Sequence, residues 1–374
     1  IRDRPIKTSD LRNRLLSTDT SFTTITGVSK GYTPSSIVKL SDFRGVESRK
    51  PLSLYVFTEV YFTVSRTLTD NYNSTDHRFG PSKTEVLTWL SGNLSGGGGY
   101  TWSNEYVDVL LPGYQIWTIP KTGNYKITAK GGGAGLTDQN YIGLGVLVES
   151  NFNLIMGEKL IIVAGQGVPN YSGDHCNGGG GASWVMTGSD YLTAVPLIVA
   201  NGAGGDTSDT GKNSTSQSRI TLGNEITVQD NNSISVTGRQ TTPTNSSANP
   251  GYGDTDGGFP NSGGWLTSGS GSYNGLGFRQ GLTGGTRSNS TAGYGAFGGG
   301  SGGYDEKGNA GGGFTGAHGK DNSSILGNGS SFVNSITTGN TNVRLAQVTS
   351  LFQDTNDFTS ENQYQGWVKI EFIQ

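Results

Sequence analysis

Gly157-Glu158-Lys159-Leu160-Ile161-Ile162-Val163-Ala164-Gly165-Gln166-Gly167 places a short apolar run between glycines. The arrangement returns at Pro196-Leu197-Ile198-Val199-Ala200-Asn201-Gly202-Ala203-Gly204-Gly205. From Gly131-Gly132-Gly133 onward, β-prone runs alternate with glycine clusters at 178–181, 202–205, 263–264, 298–303 and 311–313. Two physical readings compete. Glycine has the most conformational freedom to lose on folding, so a glycine-rich tract defaults to a flexible linker. Glycine also lets extended three-residue-per-turn chains lie side by side, with N–H and C=O groups bonded between neighbours. Linkers lack apolar strands. Here such strands separate the glycines, and aromatics punctuate them at Tyr252, Phe259, Trp265, Tyr273, Phe278, Tyr294, Phe297, Tyr304 and Phe314. A strand-like ending, Trp367-Val368-Lys369-Ile370-Glu371-Phe372, follows the region as if completing a sheet across it. Ordered packing is the expectation.

Outward from this region the pattern stays β. In 52–64, Leu52, Leu54, Val56, Val60, Phe62 and Val64 share one parity, which predicts a long strand with one buried face. Strands are predicted at 106–111, 115–119 and 125–129, with a tight turn at Pro120-Lys121-Thr122-Gly123-Asn124. Others are expected at 144–149, 159–164 and 197–200, and weaker ones near 220–228 and 233–236. Residues 70–104 read as turn-rich, and no segment reads as a long helix. A helix of at most two turns is expected through Leu11, Leu15 and Leu16. The expected organisation is an N-terminal attachment segment over 1–50, a β-rich connecting region over 51–104, and a glycine-rich β domain over 105–374. Within the last, 206–250 is a polar insertion.

Composition narrows the function classes. Of 374 residues, 62 are glycine and only 15% are charged, with a formal net charge of −3, so the chain carries no electrostatic footprint for nucleic acid or anionic lipid. Aromatics at 10% supply material for a core and for contact surfaces. A single cysteine, Cys176, rules out an internal disulfide framework. No apolar run is long enough to span a bilayer, and residues 1–20 are too polar for a secretory signal. The first residue is Ile1, which leaves the native start open.

Catalytic motifs occur only in unsuitable settings. Gly293-Tyr294-Gly295-Ala296-Phe297-Gly298 has dinucleotide-fingerprint spacing without the strand and helix that hold a pyrophosphate. Gly299-Gly300-Ser301-Gly302-Gly303 has nucleophile-elbow spacing without a strand–turn–helix setting. The run from Gly205 to Gly211-Lys212-Asn213 misses a phosphate loop by one residue and by its hydroxyl. Asp174-His175-Cys176 reads as a polar loop, and His77, His175 and His318 are too scattered for a metal site. Asp254, Asp256 and Asp305 lie among glycines and could bind calcium, but without the spacing of an EF-hand loop. Asn-x-Ser/Thr sites, Asn73, Asn93, Asn213 and Asn289 among them, follow from the composition. The chain is therefore expected to be a binding protein and not an enzyme, with no cofactor.

The ordered series is more specific than any single glycine run. Ile119-Pro120-Lys121-Thr122-Gly123-Asn124-Tyr125-Lys126-Ile127-Thr128-Ala129-Lys130-Gly131-Gly132-Gly133 comes first. The segment 157–167, then Gly178-Gly179-Gly180-Gly181-Ala182-Ser183-Trp184-Val185, and finally 196–205 come after it. The series resembles the glycine-rich domain found in the extracellular part of anaplastic lymphoma kinase and in many phage proteins, over about residues 105–374. The resemblance implies a mainly β fold: a jelly-roll-like β-sandwich interrupted by a subdomain of packed polyglycine-II helices. Asn201 stands where that family more often has glycine, and is expected to weaken one contact. Ile37-Val38-Lys39-Leu40-Ser41-Asp42-Phe43-Arg44-Gly45 is similar to a short motif near the ends of phage tail and tail-fibre proteins.

Together these resemblances imply a virion tail protein, at the baseplate or the fibre tip, on the extracellular host-facing surface. The implied partners are other tail proteins, copies of itself, and a bacterial surface glycan or outer-membrane protein. Tyr and Trp give large contact area at low entropic cost, and aromatic faces beside polar groups suit sugar rings. The candidate receptor-binding residues are Tyr252, Trp265, Tyr273, Arg279, Tyr294 and Tyr304. For each, the competing role is an aromatic or charged group sealing the packed interior. A tail protein that only builds or decorates the particle carries the same fold. An ectodomain module of a cell-surface receptor predicts glycans on the sequons. A glycan-degrading enzyme needs paired carboxylates in a groove.

Overall fold

The computed structural model describes residues 53–65, 74–92, 99–135, 142–168, 177–205, 221–231, 233–243, 246–256, 259–290, 292–304, 309–319, 327–345 and 364–373. Contacts divide the chain into Ile1–Leu54 and Tyr55–Gln374, and the sheets all belong to the second unit. The attachment segment over 1–50, with its short helix and the Ile37–Gly45 motif, lies outside the described residues, as do Asp174, His175, Cys176, Asp305, Asn73, Asn93 and Asn213.

The described chain is mainly β. One antiparallel sheet has five strands in the order β1 (Glu59–Phe62), β15 (Trp367–Phe372), β4 (Gly123–Lys130), β7 (Val146–Leu154) and β14 (Asn342–Leu345). Its strands alternate because only one face is buried. Val60, Phe62, Tyr125, Ile127, Ala129, Val146, Val148, Phe152, Val368 and Ile370 point into a core. The other face carries a lattice of ion pairs between strands: Lys126 with Glu149 and Glu371, and Lys369 with Glu59 and Glu371. Partly exposed pairs of this kind each contribute a few tenths of a kcal/mol, up to about 1 kcal/mol. They fix register more than they stabilise.

The second sheet has eight antiparallel strands. Their order is β11 (Leu222–Gln229), β12 (Ser235–Thr241), β13 (Phe332–Asn334), β10 (Val195–Ala200), β9 (Ser183–Thr187), β8 (Lys159–Val163), β3 (Gln115–Thr118) and β2 (Val107–Val109). A two-stranded ribbon pairs β5 (Ala134–Gly135) with β6 (Ile142–Gly143). Trp117, Leu160, Ile162, Val185, Leu197 and Ile198 join the core of the five-stranded sheet, so the two sheets share one apolar interior. Residues of the opposite parity, Ile116, Ile161, Val163, Trp184, Met186 and Val199, enter a second core. That core is closed by Trp265, Phe278, Leu282, Phe297 and Phe314 from the glycine-rich region. The central strands β8, β9 and β10 are thus covered on both faces, whereas the edge strand β11 is largely exposed. This explains why 160–164 and 195–200 are unbroken apolar runs.

Several sequence expectations need correction. The long strand over 52–64 is only Glu59–Phe62; Val56 is 90% exposed while Phe57, of the other parity, is buried against Trp117 and Trp102. The strict alternation therefore breaks at Thr58. Residues 70–104, read as turns, contain the ten-residue helix α1 (Lys83–Gly92), with Val86 and Leu90 buried. Its start is a reciprocal capping box. The Ser82 backbone N–H and hydroxyl donate to Glu85 Oε2, and the Glu85 N–H donates to Ser82 Oγ. The Ser82-x-x-Glu85 spacing was the available signal. Five strands, β5, β6, β9, β13 and β14, were not predicted, and β7 extends five residues past the expected end at 149, to Leu154. The hairpin β11–β12 lies inside the polar insertion and extends the eight-stranded sheet.

A candidate binding surface on the glycine-rich region

Backbone groups, and few side chains, hold the glycine segments together. Along 179–182 the successive N–H groups donate to Ser301, Ala203, Gln166 and Gly298 carbonyls at 2.8–2.9 Å. Donors three residues apart, Gly179 and Ala182, thus reach the same neighbouring segment. In return the carbonyls of Gly179, Gly180 and Gly181 accept from Ala296, Gly312 and Gly132. A Cβ on Gly178, Gly179, Gly180 or Gly181 would fall 1.8–2.4 Å from the nearest backbone oxygen of a neighbouring segment. Glycine is required there by close approach, and no positive φ is involved. At Gly298 and Gly299 the need is conformational, since φ is 111° and 87°. Asn201, expected to weaken one contact, lies among these segments. Its side chain is buried, accepts a hydrogen bond from Ser331 Oγ at 2.6 Å and donates to the Gly202 carbonyl at 3.1 Å.

The six candidate residues separate into two groups. Trp265 is fully buried, stacked on Phe314, with the Arg279 guanidinium carbon 5.1 Å from its ring centroid. Arg279 pairs with Asp230, at the turn of the β11–β12 hairpin, with side chains only 9% and 3% exposed. These two residues seal the second core and do not belong to a surface; the sequence could not reveal which side of the region each aromatic occupies. Tyr252 is half-buried against the same core. The remaining three are half-buried and do not pack against that core. Tyr273 and Tyr304 stack at 5.2 Å with ring planes 22° apart. The Tyr273 carbonyl is fixed by the Gly302 N–H at 2.8 Å. Tyr294 has two guanidinium groups over its ring, Arg78 at 5.4 Å and Arg287 at 4.6 Å. Arg78, from a segment read as featureless turns, is a contributor the sequence reading missed.

No family model and no curated protein matches this chain. The site must therefore be read from its own chemistry. Ser301, the hydroxyl of the apparent nucleophile elbow, is fully buried and accepts from the Ala310 N–H at 2.7 Å. It holds backbone together. A cavity of about 180 Å³ lies among Leu222, Glu225, Arg239, Val333, Asn334, Ser335, Thr337 and Thr341. Its polar groups largely satisfy one another: Ser335 donates to Glu225, Arg239 to the Gly223 and Leu222 carbonyls, and Asn334 to the Pro196 carbonyl.

Among the described residues no group of three or more His, Cys, Asp or Glu side chains is arranged to hold a metal ion. The buried Asp254 carboxylate instead accepts from the Ser247 and Asp256 N–H groups, both at 2.9 Å, and lies 3.2 Å from His318 Nδ1. Burial by itself would raise its pKa. The adjacent His318 imidazole and the N–H groups of Asp256 and Ser247 outweigh burial and hold the group well below the usual carboxylate range. A depressed folded-state pKa gives stability that is present above the unfolded value, near 4, and is lost as pH falls through the folded one. Asp254→Asn removes that dependence. Thermal melts of the two proteins from neutral pH down to about pH 2 should show a gap that narrows as the medium becomes acid. A constant gap would contradict the assignment.

Proposed function

We propose that the protein is a component of a phage tail, at the baseplate or fibre tip, that binds the host cell surface through the rim of its glycine-rich region. The observation that carries this reading is the Tyr273–Tyr304 stack, a part-exposed aromatic pair held on glycine segments fixed by backbone hydrogen bonds. A rigid aromatic pair loses little entropy when it meets a ligand. The resemblance of the ordered glycine series to phage glycine-rich domains supports the tail assignment. The three-residue recurrence of donors along 179–182 supports the finer reading of these segments as polyglycine-II helices beside a jelly-roll-like sandwich. The partners in this reading are other tail proteins and a bacterial surface glycan or outer-membrane protein. Repeated copies would convert weak contacts into avidity.

Incubation of the purified protein with intact candidate host cells and their extracted polysaccharide tests the proposal, with both binding and sugar release measured. Saturable binding without release is expected. Replacing both tyrosines, Tyr273→Ala with Tyr304→Ala, should weaken it by about tenfold or more while the melting temperature changes little. Absence of binding across a broad phage-susceptible panel would sink the receptor role and leave a tail protein that builds the particle. Release of sugar would mean an enzyme.

A further inference from the structure

The cavity of about 180 Å³ takes its lining from the margins of both sheets. Leu222 and Glu225 come from β11, the edge strand of the eight-stranded sheet, and Thr341 immediately precedes β14, the edge strand of the five-stranded one. Regular alternation would send Leu222 and Glu225 to opposite faces of their strand. A bulge prevents this. The register runs from Leu222–Thr241 to Glu225–Arg239, so Gly223 and Asn224 together face Gln240. Both side chains therefore reach the cavity. Glu225, Arg239 and Val333 are successive partners across β11, β12 and β13, and they form one row along its wall, with Val333 buried at the base.

Opposite charges directly across an antiparallel pair ordinarily attract each other. Glu225 and Arg239 form no ion pair among the described residues. Arg239 turns its Nε and Nη2 to the Gly223 and Leu222 carbonyls, and Glu225 Oε2 accepts from Ser335 Oγ. Asn334 is engaged by the Pro196 carbonyl and the Ile336 N–H, and Thr341 by Ser150 Oγ. Arg239 Nη1, Glu225 Oε1 and the hydroxyl of half-buried Thr337 keep no hydrogen-bond partner among the described residues. Glu225 and Arg239 are exposed, so these groups are open to a ligand. One donor, one acceptor and one hydroxyl that can be either thus stand around an aliphatic floor of Leu222 and Val333. The two charges cancel, which favours neither an anion nor a cation. Neighbouring hydroxyls on a sugar match this set. One donates to the carboxylate, the next accepts from the guanidinium, and the C–H face of the ring lies on the aliphatic floor. We propose that the cavity binds one neutral sugar ring, the terminal unit of a surface glycan whose other units lead out through the open side. The inference rests on the host-surface reading above and names the ligand class for a contact built from residues other than the Tyr273–Tyr304 pair.

The test uses the full chain and ligand-observed NMR titrations. The ligands are the methyl glycosides of glucose, galactose, mannose and N-acetylglucosamine, with glucuronate as an acidic control and alanine as a zwitterionic one. Single rings in open sites bind at about millimolar strength, so each titration runs well above it. At least one neutral glycoside should bind saturably, and more tightly than glucuronate or alanine. Thr337→Val removes a hydroxyl that has no internal partner, and Glu225→Gln keeps an oxygen for Ser335. Each should weaken binding by about fivefold or more, with the melting temperature little changed. No saturable binding of any neutral glycoside, tighter binding of glucuronate or alanine, or indifference to either substitution would overturn the site. Host cells bound with no free glycoside bound would remove this site and leave the host-surface reading intact. A glycoside bound through Glu225 and Thr337 with no host cell bound would do the reverse.

Discussion

Gly181→Ala is expected to prevent stable folding. The new Cβ would fall 1.8 Å from the Phe297 carbonyl oxygen and 2.5 Å from its carbon. Both are backbone atoms, so no flexible side chain can swing aside. Gly181 cannot retreat, because its N–H donates to Gln166 and its carbonyl accepts from Gly132. Moving it breaks those bonds in a buried place, where each lost bond leaves a desolvated group. Overpacking and lost hydrogen bonds together put the loss at about 4–5 kcal/mol or more, comparable to the whole stability of many domains. Gly92→Ala is the contrast. Nothing lies within 4 Å of that position, at the end of α1, and alanine there should be neutral or stabilising by up to about 1 kcal/mol. Urea unfolding of the two variants decides the matter. A Gly181→Ala protein melting within a few degrees of the wild type would refute the close-packed glycine arrangement.

Trp265→Ala should lose about 3–5 kcal/mol through burial alone. The ring is fully buried, stacked at 5.8 Å on Phe314, which itself stacks at 4.1 Å on Phe332 of β13. It also forms one wall around Arg279, whose pairing with Asp230 is buried. Truncation opens a cavity and admits disorder beside a desolvated ion pair, a second source of loss. Trp265→Phe should fall between the two. The decisive measurement pairs chemical unfolding with cell binding. Any binding lost by the alanine variant should follow its folded fraction, with the affinity of the folded molecules unchanged. Reduced affinity at full folding would return Trp265 to the surface and overturn the placement.

The sheets were legible because their alternation has a physical cause. Tyr125, Ile127 and Ala129, or Val368 and Ile370, repeat at period two since one face of their sheet is solvated. The same logic failed at Val56, where an apolar residue is exposed and Phe57 takes its place inside. Helix α1 escaped because its buried stripe is only Val86 and Leu90, although its Ser82–Glu85 cap was written in the sequence. Short strands such as Phe332–Asn334 carry too few residues for any period to emerge. The glycine clusters signalled order through the apolar runs between them. They could not tell which aromatics turn inward, because glycine imposes no periodicity on its neighbours. Hence Trp265 and Arg279 looked equivalent to Tyr273 and Tyr304, and Arg78 drew no notice.

The bonds among glycine segments also bear on how the molecule forms and persists. Gly180 donates to Ala203, Ala203 to Gly132, and Gly312 to Gly180, so one small knot of backbone joins stations spread along most of the unit. No station can close its bonds with a near neighbour in sequence. The chain must therefore complete long loops before these bonds yield any return, which makes folding slow and places this knot among the last parts to assemble. The same interdependence works in reverse. Releasing any one segment strands the donors and acceptors of several others, so unfolding has to proceed through many simultaneous losses. A protein built in this way is expected to persist through a high unfolding barrier more than through a deep well.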